Sequence, residues 1–313
     1  MSALALALDI GGTKLAAGII TAEGEVRVST ACPTDRAATP AEVVAVLLAM
    51  SGRAMAEAKV RWADLRGVGL SFGGPVDFPS GKTVTCHHLP GWEGFPLREL
   101  VAERTGLRVV MDNDANAAAL GETVFGAAQG CEHVLYLTVS TGIGAGLVLN
   151  GQVHRGANSL AGELGHTLVA PDGPACTCGR RGCLEAVAAG PAIARAAREA
   201  LAGDEPSVLR DLDHLTAKEV AEAAAADPLA ARVMAQAGGY LGLAIAGAVN
   251  LVNPQIVVIG GGVSQAGDCL FAPIRETVQR HAVPESVRDL RIVPAALGAQ
   301  SALFGAAALG FGG

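Results

Sequence analysis

The chain has 313 residues, enough for two domains with buried cores, and with half of its residues hydrophobic and 17% charged it is not a disordered protein. Lys and Arg number 23 against 30 Asp and Glu, a formal charge of −7, so a nucleic-acid footprint is not expected. Glycine supplies 41 residues without a collagen period and proline 15, which assigns the glycines to turns and close approaches in a globular fold.

The first elements read as an antiparallel meander tipped by glycine. Residues 3–10 form a strand, Gly11-Gly12-Thr13-Lys14 a turn, 15–21 a second strand and 26–30 a third. The opening residues lack a basic region and reach Asp9 after a short apolar run, so they read as a strand and not as a signal peptide. A helix is expected over 41–58, followed by a buried strand at 67–71 that ends in Phe72-Gly73-Gly74-Pro75; helix after strand implies an α/β layer. Gly81-Lys82-Thr83 imitates the end of a phosphate-binding loop, but that motif requires glycine where Val76 stands. Residues 109–114 end a strand in Asp112-Asn113-Asp114 and lead into a helix over 115–121.

A second meander starts near residue 133, with glycine turns at Ser140-Thr141-Gly142-Ile143-Gly144 and Asn150-Gly151. It repeats the opening pattern about 130 residues later, so two copies of one architecture, each with a glycine turn, are expected to offer a cleft to a phosphorylated ligand. Residues 184–249 are Ala-rich and mostly helical, and 301–309 form a short apolar helix. The stretch 233–267 carries no charge, yet Gly238, Gly239, Asn250, Asn253 and Pro254 interrupt it; a buried helix followed by a strand at 256–259 is expected, and no membrane span.

Several clusters carry chemistry. Asp9 with the turn through Lys14 places a carboxylate beside amides that can approach phosphate, suited to hydrated Mg²⁺ or to simple capping of a hairpin. A further glycine turn, Gly260-Gly261-Gly262-Val263, follows an apolar strand without the dinucleotide spacing. One of Asp112, Asn113 and Asp114 can cap the helix; a carboxylate there can also take a proton from a hydroxyl. Seven cysteines, an odd number in a long chain, point to a reducing, cytoplasmic setting. Three of them stand in Cys176-Thr177-Cys178-Gly179-Arg180-Arg181-Gly182-Cys183, ten residues after His166, a closed tetrahedral donor set for one structural zinc. Glu163 and Glu185 bracket this cluster and suit a hydroxyl-rich ligand or the surface.

The Asp9 glycine turn, Asp112 to Asp114, Glu163-Leu164-Gly165-His166, the cysteine segment and Gly260 to Gly262 together resemble the ROK family of sugar kinases and repressors over essentially the whole chain. The resemblance implies the actin-like ATPase fold, two ribonuclease-H-like domains with ATP and sugar in the cleft between them. Residues 1–112 joined by the C-terminal helix 300–313 would form the first domain, and 113–299 the larger one with the zinc loop and adenosine site. It implies Asp114 as base toward a sugar 6-hydroxyl, and Gly74, His88, Asn113, Asp114, Glu163, His166 and Glu185 as sugar ligands. Asp9, Gly11, Gly12, Thr13 and Lys14 resemble the first phosphate turn, Thr141 and Gly142 the second, and Gly260, Gly261, Gly262 and Val263 the adenosine site. His166 would bind zinc, with Cys176, Cys178 and Cys183, through one ring nitrogen and face the sugar with the other. Two departures are Ser140, where the family often has Gly, and His88, where it usually has Asn.

The implied activity is ATP- and Mg²⁺-dependent phosphorylation of a hexose, glucose first, with N-acetylglucosamine or N-acetylmannosamine as alternatives, by a homodimer or higher homo-oligomer. The family's repressors carry an N-terminal DNA-binding domain; here the first phosphate strand begins at residue 3, so the kinase reading is preferred.

Overall fold

The computed structural model of the chain describes residues 2–85 and 90–312; His88 lies outside the described residues. The opening meander is present. β1 (Leu4–Ile10) and β2 (Lys14–Thr21) run antiparallel around Gly11 and Gly12, and β3 (Val26–Pro33) returns along β2. Thr39 and Glu42 form a reciprocal capping box that starts α1 (Pro40–Ala58), with Pro40 in its first turn, where a missing N–H costs nothing. β4 (Leu65–Phe72) is parallel to β1. A small ribbon of β5 (Val76–Asp77) and β6 (Lys82–Thr83) follows, so Lys82 and Thr83 are hairpin residues. α2 (Leu97–Thr105) then leads to β7 (Val109–Asn113), which runs without a loop into α3 (Asp114–Phe125). The sheet order is β3-β2-β1-β4-β7, with β1, β4 and β7 parallel.

The second sheet repeats this order. β8 (Val134–Val139) and β9 (Ile143–Leu149) are followed by β10 (Gln152–Val153) across Asn150-Gly151, both at positive φ as a tight hairpin turn requires. Helices α4 (Leu184–Ala188), α5 (Gly190–Ala200), α6 (Ala217–Ala223) and α7 (Pro228–Val252) precede β11 (Ile256–Gly260); α8 (Asp268–His281) and α9 (Pro284–Val287) precede β12 (Arg291–Pro294). The order is β10-β9-β8-β11-β12, with β8, β11 and β12 parallel. Residues 201–216 break the helical run. There Asp227, 3% exposed, accepts from Ser207 Oγ at 2.6 Å and Val208 N at 2.8 Å while also capping α7. Among the described residues α7 alone is long and apolar enough to cross a membrane; one of its faces, with Leu229, Val233, Met234, Leu241 and Ile245, is buried, and it packs along α8.

The chain closes with α10 (Ser301–Phe311). It explains the alternation of β1: Leu6, Leu8 and Ile10 join Val43, Leu47 and Met50 of α1 in one core, whereas Ala7 meets Ala306 and Ala307 of α10 in another. The large face packs side chains and the small face packs backbone. A Cβ on Gly69 would sit 1.6 Å from the Ala306 carbonyl oxygen, and one on Gly305 1.6 Å from that of Ala117.

Two compact units result: Met1–Glu132, Gly146–Gly162 and Ala295–Gly313 in one, His133–Ala145 and Glu163–Pro294 in the other. Residues 113–132 and 146–162 thus group with the first unit and not, as a boundary at 112 would have it, with the second. The reason is packing: Ala117 and Leu120 of α3 share a core with Ala308 and Leu309 of α10, and Val153 packs against the same cluster.

Gly69→Ala should therefore destabilise the chain by about 3 kcal/mol or more, since overpacking here meets backbone and not a yielding side chain. Gly247→Ala on the open face of α7, where a Cβ meets nothing within 4 Å, should stabilise by up to about 1 kcal/mol. Urea titration of both variants reads the contrast.

Candidate active site

In the first unit the carboxyl ends of the three parallel strands carry the polar residues, which is where open α/β sheets bind ligands. Register places Asp9 of β1 beside Ser71 of β4, and Ser71 beside Asp112 of β7. Ser71 Oγ donates to Asp9 Oδ1 at 2.8 Å. The second carboxylate oxygen of Asp9 has no hydrogen bond among the described residues. Burial raises the Asp9 pKa, opposed by the Ser71 hydroxyl and the charge of Lys14.

The turn after Asp9 has its carbonyls tied back. Gly11 N donates to Lys14 O at 3.0 Å, Thr34 Oγ1 to Gly11 O at 2.7 Å, Thr34 N to Thr13 O at 3.0 Å and Arg36 Nε to Gly12 O at 3.3 Å. The amides of Gly12 and Thr13 have no acceptor among the described residues, which is the arrangement of an anion-binding nest. Lys14 Nζ reaches Ala299 O at 3.4 Å.

Asn113 caps α3, its Oδ1 accepting from Ala115 N at 2.9 Å and Asn116 N at 3.4 Å. Its Nδ2 donates to Gly74 O at 3.1 Å and to Asp114 Oδ1 at 3.0 Å. Gly74 is thus part of the scaffold that aims Asn113. Asp114 Oδ1 also accepts from Ala115 N at 2.8 Å. Burial, reinforced by the nearby charge of Asp9, pushes the Asp114 carboxyl up to about 7. That is a pKa suited to a general base at neutral pH.

In the second unit, Thr141 and Gly142 follow β8, and Gly260 to Val263 follow β11, again at the carboxyl ends of parallel strands. Ser140 N donates to Gly142 O at 2.9 Å and Gly190 N to Ser140 O at 2.8 Å, latching the turn to the start of α5; Ser140 contributes only backbone. Glu185, in the first turn of α4, accepts from Ile143 N at 3.0 Å through Oε2 and from Thr177 Oγ1 at 3.2 Å through Oε1. Gly261, at positive φ, lies against Val139 O, and Ser264 Oγ donates back to its carbonyl at 2.7 Å.

His166, Cys176, Cys178 and Cys183 converge, with all four donor atoms within 4.8 Å of one another. The short loop is a hairpin: Leu168 bridges Cys183, Ala175 bridges Arg181, and Gly182 takes positive φ with the Ala170 carbonyl where a Cβ would stand. Cys176 Sγ lies 3.6 Å from His166 Nδ1, and Cys178 Sγ 3.6 Å from Cys183 Sγ. Bonds of about 2.3 Å to a tetrahedral ion imply edges of about 3.8 Å, so the donors fit a metal. Burial and the two neighbouring thiols push the Cys183 thiol up to about 12, the cost of crowding sulfurs without a cation. His166 Nε2 points away and lies 3.9 Å from Glu163 Oε2.

A family model described as ROK family matches residues 5–311. The chain belongs to the ROK family. A glucokinase of Halalkalibacterium halodurans is 38% identical over 304 residues, 95% of this chain and 92% of the relative. The crystal structure of a ROK hexokinase from Thermus thermophilus is 39% identical with a TM-score of 0.81, covering 98% of each chain. That of a ROK family glucokinase from Streptomyces griseus in complex with glucose and AMPPNP is 33% identical with a TM-score of 0.84, covering 99% of this chain and 100% of that one. Two repeats of one five-stranded order are the ROK version of the actin-like ATPase fold, as the motifs led one to expect.

Sequence reasoning did not single out Ser71, Thr34, Asn116, Arg155 or Thr177, although each is bonded to a residue it did. Only Asn116, one helical turn after Asp112, had a spacing that signals contact.

The Asp114 shift has a consequence for stability. A carboxyl that holds its proton up to about pH 7 when folded, and only to about 3.8 when unfolded, costs stability progressively as pH rises through that interval. Asp114→Asn should raise Tm by about 3 °C at pH 8, with the gain shrinking toward zero near pH 4; a melting series across pH checks this.

Proposed function

We propose that this chain transfers the γ-phosphoryl group of ATP to the 6-hydroxyl of a hexose, with glucose as the substrate. The observation that carries the reading is the first unit's pairing of a two-amide phosphate nest with a carboxylate tuned to about pH 7. The similarity to glucokinases over nearly the whole chain supports it.

Asp114 takes the 6-hydroxyl proton as the sugar oxygen attacks phosphorus, while Asn113, held by Gly74, orients that hydroxyl. The amides of Gly12 and Thr13, and those of Thr141 and Gly142, receive phosphate oxygens and stabilise charge on the transferring group. Lys14 adds positive charge to the first turn. Gly260, Gly261, Gly262 and Val263 carry the adenosine side. The Asp9 oxygen left free of hydrogen bonds suits the water shell of Mg²⁺, which supplies charge neutralisation to the phosphates when bound. Glu163, His166 and Glu185 hold sugar hydroxyls.

His166 Nδ1 and the sulfurs of Cys176, Cys178 and Cys183 would hold one zinc, which cross-links the loop; four protein ligands leave no open position for catalysis. A cytoplasmic setting and a homodimer or higher homo-oligomer are part of the reading. The N-acylhexosamines N-acetylglucosamine and N-acetylmannosamine are the alternative substrates, and His88, where the family usually has Asn, bears on which sugar is accepted.

ADP release from a panel of glucose, mannose and both acylhexosamines, with ATP and Mg²⁺, tests the reading; absence of hexose-dependent release would refute it. Asp114→Ala should lower kcat by about 10² to 10⁴, and kcat/KM of the parental enzyme should rise with pH through about 7 as the base loses its proton. Metal analysis of protein purified without chelator should find about one zinc per chain, and Cys178→Ser should lose it together with thermal stability.

A further inference from the structure

Asp112 has more partners than a helix start requires. Its Oδ2 accepts from Arg155 Nε at 2.8 Å and Nη2 at 2.7 Å; its Oδ1 accepts from the Asn113 backbone N–H at 2.8 Å and from Asn116 Nδ2 at 3.0 Å. The Asp112 side chain is 1% exposed and that of Arg155 22%. The guanidinium lies 3.6 Å over the Phe78 ring, and its Nη1 donates to Val153 O at 3.3 Å. Phe78 N in turn donates to Ser159 Oγ at 3.2 Å, closing residues 155–159 onto the same place. Asn116 Oδ1 is buried without a partner, so the amide of Asn116 is spent wholly on a carboxylate acceptor. An ion pair this buried is retained at a desolvation cost, which invites a question about what it holds.

We propose that Arg155 is a positioning residue for the Asp114 base: by holding Asp112 through two hydrogen bonds it anchors the Asn113 peptide and the Asn116 side chain, and so fixes the first turn of α3. This rests on the kinase reading. The chain of bonds is short. Arg155 binds Asp112, Asp112 binds the Asn113 N–H, and the Asn113 side chain binds Asp114. Arg155 is the only cation bonded to Asp112 among the described residues. The other charges near it are Asp114 on the same turn, Asp9 across Ser71 on the neighbouring strands, and Lys14 beside Asp9. Burial raises the Asp112 pKa, and Arg155 is the chief opposing influence. Without the guanidinium, a buried carboxyl flanked by two more carboxyls holds its proton to higher pH, and its grip on two donors weakens. Displacement of a base by a fraction of an ångström is enough to cost kcat.

The test uses the full chain with Arg155→Met, Arg155→Lys and the double variant Asp112→Asn/Arg155→Met. Carbon-13 carboxyl NMR should show Asp112 titrating at a higher pH in Arg155→Met than in the parental chain. With ATP and glucose, Arg155→Met should lose about tenfold or more in kcat while both KM values stay within about threefold, because Arg155 touches neither substrate. Its kcat/KM profile should fall on the acid side with the uptake of two protons, where the parental profile falls with the uptake of one. The double variant, in which no charge is left to titrate, should return to one. Arg155→Lys, which keeps the charge and loses the fork, should keep the one-proton limb with a smaller loss in kcat; it carries the kinetic test if Arg155→Met does not fold. An Asp112 whose titration does not move in Arg155→Met, an unchanged kcat, or a loss confined to KM would each overturn the proposal. Parental turnover with unaltered variant kinetics removes the positioning role alone. No parental turnover on any hexose removes the kinase reading, and the role with it.

Discussion

The backbone of α10 approaches β4 and α3 so closely that hydrogen is the largest substituent tolerated at Gly69 and Gly305. That approach determines much else in the first unit. It requires Ala5 and Ala7 on the inner face of β1, and it seats α3 directly behind the ends of the three parallel strands. It also needs an anchor. Glu122, fully buried on α3, accepts from Ala127 N, Ala296 N, Leu297 N and Ser301 Oγ at 2.8 to 3.1 Å, pinning the turn that launches α10. A buried carboxylate is tolerable there because four donors replace its water. The same helix therefore carries a structural carboxylate near its end and the candidate base at its start.

Three further carboxylates, Asp9, Asp112 and Asp114, gather at the strand ends, and the surroundings treat each differently. Asp112 receives a guanidinium and two neutral donors. Asp9 receives one hydroxyl and the distant charge of Lys14. Asp114 receives an amide N–H and a side-chain amide but, among the described residues, no cation, and it lies near the charge of Asp9. Burial raises all three, and the partners that oppose the rise differ from one to the next. Asp114 opens the helix whose Ala117 and Leu120 pack against Ala308 and Leu309 of α10, so a contact made largely of small residues seats the candidate base.

Much of this was legible in the sequence because periodicity and turn chemistry are local. The alternation of Leu and Ala in β1, the Asn150-Gly151 turn, the cysteine spacing and the run from β7 into α3 each announce themselves within a few residues. The sequence reading drew the boundary between units at 112, whereas the structure groups α3 and residues 146–162 with the first unit; that grouping depends on the packing of α10, about 180 residues further on. Arg155 was silent for the same reason. Nothing in His154-Arg155-Gly156 shows that its guanidinium will meet a carboxylate 43 positions earlier. The helical break at 201–216 was hidden because an Ala-rich composition says nothing of Asp227 reaching back to Ser207. Pairings across long stretches of chain are fixed by tertiary packing, and one sequence without that packing cannot reveal them.

Glu185 joins the two chemistries of the second unit. Its helix starts immediately after Cys183, so the conformation of the cysteine hairpin sets the position of its carboxylate. One oxygen receives Thr177 from within that hairpin and the other receives the Ile143 amide at the end of the phosphate turn. A Cβ at Gly142 would stand 2.6 Å from that second oxygen, so the turn must be bare there for the carboxylate to approach. The order of the hairpin is thus transmitted to the turn through two hydrogen bonds and one side chain. A metal held by the three sulfurs and His166 Nδ1 would fix the hairpin, and with it the carboxylate that meets the Ile143 amide. The cysteine motif then bears on the glycine turn after β8 as much as on the loop in which it lies.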